Sequence, residues 1–271
     1  MPKYLVFMDL DGTLLESDHK HISERNKLTI EFLQQRDVMF YIATGRMYEL
    51  AKITRARLNS QVRMITSNGA VFDGKDGREI TKLGGTAVEL AYQISQINKL
   101  PIMFFTPEKA YFSEKIPHFI AQNAGNFDDA FGYREIKGLS DLKKVENEIT
   151  NGVILSRGSM DELDRARVKL NASGLLRVSS SGPDNIEMIP LNTDKGTAVK
   201  QIQQEQGVDY DHTFVFGDGM NDVGMMKEAK MSVAMGNGLE EVKKQANYVT
   251  STNLEDGLAV FLEKYFKIMK K

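Results

Sequence analysis

The chain has 271 residues, and 35 Lys and Arg against 37 Asp and Glu give it a formal net charge of -2. That length allows one large domain or two smaller ones, and the dispersed, nearly balanced charge argues against a general nucleic-acid binder. The absence of cysteine excludes disulfides, thiolate catalysis and cysteine metal sites.

The N-terminus leads straight into an apolar strand pattern, which leaves no room for a signal peptide. No apolar run approaches the roughly 20 residues that a helix needs to cross a bilayer. We therefore expect a cytoplasmic protein with no membrane partner, and we expect it to be a monomer or a weak homodimer.

The first predicted element is a buried strand of a parallel sheet, from Tyr4 to Met8. This run is too short for a helix and too uniformly apolar for a half-exposed strand. Asp9 and Asp11 follow it, at the carboxyl end of the strand, where open parallel sheets bind their ligands. Gly12 lets the backbone turn away. Two carboxylates held this close repel each other, so they need a cation, a shared proton or a role in proton transfer.

A helix over 22–36 comes next, with Ser23 as its N-cap and Leu28, Phe32 and Leu33 on one face. The segments that follow alternate between strand and helix, which predicts an α/β fold. In chain order they are a strand over 38–42, a helix to about residue 58 with Leu50 and Ile53 on its inner face, a short strand over 64–65 and a hairpin over 71–80.

From about Gly84 the pattern changes to helix–strand–strand, which predicts an inserted α+β module over 84–189. Gly84-Gly85 and the segment 190–193 are natural hinges on either side of it. The helices predicted in the module cover 86–98, 116–123, 140–148 and 160–172, and its strands cover 101–105, 109–112, 152–155, 176–180 and 185–189.

After Pro190 the alternation of helix and strand resumes. The predicted core is therefore discontinuous and consists of residues 1–83 and 190–271. Its last elements are helices over 194–206, over 239–246 and from about residue 254, and strands over 213–216, 232–235 and 248–249.

Small polar or charged residues follow the predicted core strands, and they suit phosphoryl transfer. Thr44 and Gly45 offer a hydroxyl and a backbone N–H to a phosphate oxygen, while Lys195 offers a positive charge at the start of a helix. Asn221 can donate an amide N–H. Asp218 and Asp222 add carboxylates, the kind of oxygen ligand that Mg2+ prefers.

The run Asp9-x-Asp11-Gly12-Thr13 after an apolar strand resembles the first motif of the haloacid dehalogenase (HAD) superfamily. The other three motifs are similar to Thr44, to Lys195 and to the run Gly217-Asp218-x-x-Asn221-Asp222. The position of the insertion resembles a type C2 cap. The Cof-type branch, with its YidA-like sugar phosphatases, is resembled by three short runs, which are Thr44-Gly45-Arg46, Ser67-Asn68-Gly69 and Asp194-Lys195-Gly196. The resemblance implies a Rossmann-like parallel-sheet core with an inserted α+β (type C2B) cap that selects the substrate.

The resemblance also implies a role for each motif residue. Asp9 would be the nucleophile that forms an aspartyl phosphate, and Asp11 would act first as acid and then as base. Mg2+ would be bound by Asp9, Asp218 and the main-chain carbonyl of Asp11, with Asp222 as a further ligand or as an acid that orients the waters of the ion. The phosphate would be bound by Thr44, Lys195, Asn221 and the backbone N–H groups of Leu10 and Gly45.

The sequence thus predicts a Mg2+-dependent phosphatase for a small phosphorylated metabolite, with sugar phosphates as the leading class and pyridoxal phosphate or flavin mononucleotide as others. A phosphomutase and a non-catalytic sugar-phosphate sensor stay open. Arg46 could reach the substrate or pair with an acid. Ser67 and Asn68 are expected to have a structural role or to support the residues that contact the substrate, and the four histidines are expected at the surface. Possible substrate contacts in the module are Tyr111, Arg157, Asn185 and Glu187.

Overall fold

The computed structural model describes residues 2–113, 134–158, 160–180 and 182–268. The chain divides into two compact units. The first unit comprises Met1–Arg46, Ala51–Glu79 and Asp194–Lys271, and the second comprises Met47–Leu50 and Ile80–Thr193. The helix predicted over 116–123 lies outside the described residues.

The strands and helices of the described residues are named here in chain order. The strands are β1 (Tyr4–Met8), β2 (Val38–Ala43), β3 (Arg63–Thr66), β4 (Val71–Asp73), β5 (Arg78–Ile80), β6 (Ile102–Phe105), β7 (Ala110–Phe112), β8 (Arg134–Glu135), β9 (Asn151–Leu155), β10 (Leu176–Ser179), β11 (Asn185–Pro190), β12 (Thr213–Gly217), β13 (Met231–Ala234) and β14 (Tyr248–Val249). The α-helices are α1 (Glu24–Gln34), α2 (Tyr48–Arg55), α3 (Gly85–Ile97), α4 (Leu139–Leu142), α5 (Met160–Ser173), α6 (Lys195–Gln206), α7 (Val223–Met226), α8 (Glu240–Lys243) and α9 (Gly257–Tyr265).

The larger sheet, with eight strands among the described residues, runs in the order β14-β13-β12-β1-β2-β3-β4-β5. The strands from β14 to β3 are parallel, and β4 turns back antiparallel to β3. β1 lies between β2 and β12, and its residues from Leu5 to Met8 are fully buried. Uniformly apolar strands of this kind belong to a sheet that is covered on both faces. The predicted parallel α/β core is therefore confirmed.

The smaller sheet of the second unit has the strand order β10-β11-β9-β6-β7-β8 in the part of the chain that the structure describes. Its pairs are antiparallel except β7 with β8, a strand that the sequence did not predict. α3 and α5 bury their apolar sides in one cluster with Phe104, Ile154 and Ile186. The inserted α+β architecture is confirmed as well. None of the described helices has the length and hydropathy that membrane crossing requires.

Each of two predicted helix faces is wrong at one residue. Leu28 is 56% exposed in α1, and Ile53 is 42% exposed in α2. The buried side of α1 instead carries Asn26 with Ile30 and Leu33, because the Asn26 side chain accepts a hydrogen bond from the Ala259 N–H in α9 (3.1 Å). A polar residue held inward by such a contact changes which residues form the buried side of the helix, and the spacing of apolar residues cannot reveal this change.

Three helices are shorter than predicted, namely α2, α4 and α8. Beyond each of them the chain continues in turns that include hydrogen bonds spanning three residues rather than four. The Leu58 N–H donates to the Arg55 carbonyl (2.9 Å), and the Glu148 N–H donates to the Val145 carbonyl (2.8 Å). Apolar spacing of three or four residues fits both geometries, so the sequence pattern extended these helices too far.

The two leucines of α1 give a matched test of its buried face. Leu33→Ala is expected to lower the free energy of unfolding by about 2–5 kcal/mol, because Leu33 is 0% exposed and the substitution leaves a cavity. Leu28→Ala is expected to change it by less than about 0.5 kcal/mol. Urea unfolding followed by circular dichroism measures both values, and equal losses would contradict the assigned face.

Candidate active site

The carboxyl ends of three adjacent parallel strands bring the predicted site residues to one edge of the larger sheet. Asp9 follows β1, Thr44 follows the neighbouring β2, and Asp218 follows β12 on the other side. The Asp9 N–H donates to the Phe216 carbonyl (3.0 Å), so the β1–β12 ladder extends one residue past the strand. Asp9 is therefore held by the sheet itself, at the position that open parallel sheets use for ligands.

The backbone leaves β1 through a wide helical turn over Leu10–Leu14, closed by the Leu15 N–H donating to the Leu10 carbonyl (2.9 Å). Gly12 has a φ of +83°, and a Cβ at this position would overlap the Asp218 carboxylate. Thr13 Oγ1 donates to Asp218 Oδ1 (3.1 Å). The residue at position 12 must therefore be glycine for two reasons, the left-handed backbone and the close approach of Asp218.

Lys195 is the first residue of α6, and its side chain is 0% exposed. Asp194 caps the helix, since its carboxylate accepts from the Thr197 N–H (2.7 Å). Lys195 Nζ donates to Asp9 Oδ1 (2.5 Å) and to Asp222 Oδ1 (2.7 Å). Burial alone would lower the pKa of Lys195, but Asp222 and Asp9 together raise it above its ordinary value. The ammonium is therefore a fixed positive charge shared by two acids.

Asp222 shapes the turn that follows β12. Its Oδ2 accepts hydrogen bonds from the N–H groups of Asp218 and Gly219, both at 3.0 Å. Burial, and after it the nearby charge of Asp222, raises the pKa of Asp218 to about 6. Burial also raises the pKa of Asp9 well above its usual range, with Asp222 and Asp218 adding to the effect and Lys195 opposing it. The cluster thus carries more negative charge than its surroundings stabilise.

Asp9, Asp218 and Asp222 fit a divalent cation. Each offers one carboxylate oxygen, and these oxygens all lie within 4.8 Å of one another, the one such group among the described residues. Three carboxylates less the single ammonium of Lys195 leave an excess of two negative charges when all are ionised, which a Mg2+ ion would offset. Oxygen donors are the ligands that Mg2+ prefers. The side chain of Asp11 does not join this group, and a ligand role for its main-chain carbonyl stays a prediction.

Asp11 is paired with Arg46. Arg46 Nε donates to Asp11 Oδ2 (2.9 Å), and Arg46 Nη2 donates to Oδ1 (2.5 Å). Burial by itself would raise the pKa of Asp11, but the charge and hydrogen bonds of Arg46, with a contribution from His19, hold it below the ordinary value. Of the two roles that the sequence left open for Arg46, the structure shows the pairing with an acid.

His19 makes a contact with Asp11 that the sequence did not reveal. The residue is exposed, as expected, yet its Nδ1 lies 2.8 Å from Asp11 Oδ1. His19 has a φ of +56°, and its carbonyl lies 3.5 Å from Arg46 Nη2. The loop after the first turn therefore returns to Asp11, and no motif or spacing in the sequence marks such a return.

The residues predicted to bind phosphate lie at the same edge of the sheet. Thr44 is buried and accepts a hydrogen bond at its Oγ1 from the Arg46 N–H (3.2 Å). Asn221 Nδ2 donates to Asn68 Oδ1 (3.3 Å). Leu10 is buried directly after Asp9. Phosphate binding by these residues and by the backbone N–H groups of Leu10 and Gly45 stays a prediction.

The candidate contacts in the second unit divide between the two faces of its sheet. Tyr111 is buried in the cluster with α3 and α5, a position that does not favour a substrate contact. Asn185 and Glu187 pair directly with Leu155 and Val153, and therefore share the opposite face with them. Arg157 is exposed after β9.

Comparisons with known proteins cover nearly the whole chain. Residues 6–262 match the family model described as haloacid dehalogenase-like hydrolase. The chain is 31% identical to 5-amino-6-(5-phospho-D-ribitylamino)uracil phosphatase YitU of Bacillus subtilis, over 98% of each protein. It is 26% identical to HMP-PP phosphatase of Escherichia fergusonii, over 89% of this chain and 87% of the relative. The crystal structure of a haloacid dehalogenase-like hydrolase from Bacteroides thetaiotaomicron superposes with a TM-score of 0.83 at 27% identity, over 97% of this chain and 99% of the other.

Two glycines with left-handed backbone give a matched test of the contact between Gly12 and Asp218. Gly207 has a φ of +66° and open space around it, so Gly207→Ala should cost about 1 kcal/mol of unfolding free energy from backbone strain alone. Gly12→Ala should cost about 2–4 kcal/mol, because the new methyl group also displaces the Asp218 carboxylate. Urea unfolding measures both values, and a loss at Gly12 no larger than that at Gly207 would refute the close approach.

Proposed function

This chain belongs to the haloacid dehalogenase-like hydrolases, and we propose that it is a Mg2+-dependent phosphatase that hydrolyses small phosphate monoesters through an aspartyl phosphate. The predicted superfamily and the predicted class of enzyme, a phosphoric monoester hydrolase, are confirmed by the family match and by the phosphatase relatives. The observation that carries the finer proposal is the buried Lys195 ammonium held between Asp9 and Asp222, with Asp218 beside them.

Asp9 is proposed as the nucleophile. One of its carboxylate oxygens would attack phosphorus and form the aspartyl phosphate while the bond from phosphorus to the ester oxygen breaks. Water would then attack the same phosphorus, releasing inorganic phosphate and restoring Asp9. The backbone hydrogen bond to Phe216 and the side-chain contact with Lys195 fix Asp9 for attack before substrate arrives, which supports this role.

Asp11 is proposed to donate a proton to the departing ester oxygen and to accept one from the attacking water. Both of its carboxylate oxygens accept hydrogen bonds from Arg46 in this structure. At least one of these contacts must be released before Asp11 can reach a leaving oxygen. Arg46 is thus proposed to stabilise the ionised form of Asp11 between the two proton transfers.

Mg2+ is proposed to bind Asp9 and Asp218, with Asp222 as a further ligand or as an acid beside the ion's waters, and with the Asp11 carbonyl completing the set. When bound, the ion supplies charge that offsets the repulsion between the carboxylates and a phosphate dianion. Asp222 already accepts from Lys195 and from two backbone N–H groups, which favours the indirect role for it. Thr44, Lys195 and Asn221, with the N–H groups of Leu10 and Gly45, would bind the phosphate oxygens.

The substrate is proposed to be a small phosphorylated metabolite, with sugar phosphates as the leading class. The substrate for which YitU is named carries a phosphorylated ribityl chain, which is close to this class, whereas HMP-PP phosphatase is named for a different substrate. The second unit is proposed as the cap that selects the leaving group, with Asn185 and Glu187 as candidate contacts. The cytoplasmic location and the monomeric or weakly dimeric state stay predictions.

Asp9→Asn tests the nucleophile. We expect no measurable release of p-nitrophenol from p-nitrophenyl phosphate by this variant, because an amide oxygen is a poor nucleophile. The fold should persist, since asparagine keeps the shape and an oxygen acceptor for Lys195. The matched control is Asp37→Asn, at an exposed aspartate before β2, which should retain wild-type turnover.

The two possible surprises have different meanings. Wild-type turnover by Asp9→Asn would rule out the nucleophile assignment. No hydrolysis by the wild type, either of this ester or of a panel of sugar phosphates in Mg2+ buffer, would instead move the proposal toward a phosphomutase or a sensor that binds sugar phosphates without cleaving them.

Metal removal tests the carboxylate group through stability as well as turnover. EDTA should abolish hydrolysis, and MgCl2 should raise the thermal unfolding midpoint of the wild type, because a ligand that binds only the folded state stabilises it by about 2.7 kcal/mol at 100 times its Kd. Asp218→Asn should lose most of that rise, whereas Asp37→Asn should keep it. An equal rise in all three proteins would mean that Mg2+ binds elsewhere.

A further inference from the structure

The turn Ser67–Gly69 after β3 has an unusual backbone. Its three residues all have positive φ, at +51° for Ser67, +52° for Asn68 and +100° for Gly69. Left-handed backbone is unfavourable for serine and only tolerated by asparagine. The Ser67 hydroxyl adds to the strain, because it is buried without a hydrogen-bond partner among the described residues. A turn with these features persists only where the surrounding contacts hold it in place.

The first of these contacts joins the turn to the Thr44–Arg46 segment. The Asn68 N–H donates to the Thr44 carbonyl (3.1 Å), and the Ser67 N–H donates to the Arg46 carbonyl (2.9 Å). A Cβ at Gly45 would lie 3.1 Å from Asn68 Nδ2. The side chain of Asn68 therefore packs on the α-carbon of Gly45, whose backbone N–H we assign to the phosphate.

The second contact joins Asn68 to Asn221. Asn68 is 2% exposed, and its Oδ1 accepts a hydrogen bond from Asn221 Nδ2 (3.3 Å). A primary amide presents an oxygen on one side and two N–H donors on the other. Asn68 Oδ1 accepts one of these donors and so holds the amide nitrogen of Asn221 on the side of Asn68, and the second N–H of that nitrogen is the one that we assign to the phosphate.

The third contact is made by the last residue of the turn. A Cβ at Gly69 would overlap the carbonyl oxygen of Asp194 and would lie 3.1 Å from the backbone nitrogen of Lys195. The turn therefore packs against the start of α6, whose first residue is Lys195. One short segment thus contacts all three elements that carry Gly45, Lys195 and Asn221.

We propose that Asn68 is a positioning residue for phosphate binding, which orients the Asn221 amide and supports the Gly45 backbone without touching the phosphate itself. This inference rests on the proposed function, since its target is the phosphate site assigned there.

Asn68→Gly tests this role, because glycine adopts the left-handed backbone without strain and removes only the side chain. Calorimetric titration with inorganic phosphate in Mg2+ buffer should show a Kd roughly three- to tenfold above the wild type, the net worth of one hydrogen bond. The thermal unfolding midpoint should fall modestly, because relief of the left-handed backbone offsets only part of the loss of a buried side chain, and the titration is therefore run well below that midpoint. The matched control is Asp37→Gly, at another left-handed position (φ +60°), which should bind phosphate like the wild type.

The background variant Asn221→Ala separates positioning from a general structural effect. With the amide of Asn221 removed, adding Asn68→Gly should weaken phosphate binding by less than twofold more, since most of its effect passes through that amide. A full three- to tenfold loss in this background would overturn the orientation of Asn221 by Asn68, and a Kd for Asn68→Gly equal to that of the wild type would overturn the whole proposal.

Failure of the proposed function would be visible in the wild type alone. A wild-type protein that neither binds inorganic phosphate nor hydrolyses p-nitrophenyl phosphate would overturn both proposals. A wild type that does both, together with an Asn68→Gly variant that matches it, would overturn only the role of Asn68. Equal weakening by Asn68→Gly and Asp37→Gly would also overturn it, because the effect would then not be specific to this turn.

Discussion

The candidate site depends on one electrostatic constraint, the crowding of two buried carboxylates and one half-buried carboxylate around a single ammonium. Lys195 contacts Asp9 and Asp222 directly, while Asp218 is held beside them by Thr13 and by the turn that Asp222 organises. Removing charged groups from water is costly unless they are paired. One ammonium cannot balance three carboxylates, and the raised pKa values of Asp9 and Asp218 express that imbalance. A site of this composition suits a ligand set that brings further positive charge and then a dianion.

The parallel sheet makes this crowding possible. Because β1 has β2 on one side and β12 on the other, residues far apart in sequence meet just beyond the ends of these strands. The last rungs of the ladder hold the backbone, and left-handed residues near the site lie in the turns that follow the strands, among them Gly12 and Ser67–Gly69. Strained backbone is commonly found at functional sites that a rigid scaffold supports. The sheet fixes the backbone positions, and the turns orient the side chains of the site.

Much of this arrangement could be predicted from the sequence, because its signals are local. An apolar strand followed by Asp9, or a capped helix that begins with Lys195, is visible within a few residues. The sequence left the pairing of Arg46 with an acid open and did not identify Asp11 as its partner. The contact of His19 with Asp11 could not be predicted, since it depends on a loop that returns to the site. The inward placement of Asn26 and the exposure of Leu28 likewise result from the packing of α9 against α1. Local pattern predicted the elements, and tertiary contacts determined their faces and partners.

The separation of 186 residues between Asp9 and Lys195 has a consequence for the newly made chain. On the ribosome, at about 5–20 residues per second, β1 is synthesised roughly 10–40 s before Lys195, which contacts the Asp9 carboxylate at the end of this strand. The partner strand β12 is synthesised later still, so one edge of β1 stays unpaired during this interval. The second unit, whose chain is almost continuous, is complete by then. The inserted unit is therefore synthesised in full before the central sheet can be completed, because β12 lies in the final third of the polypeptide.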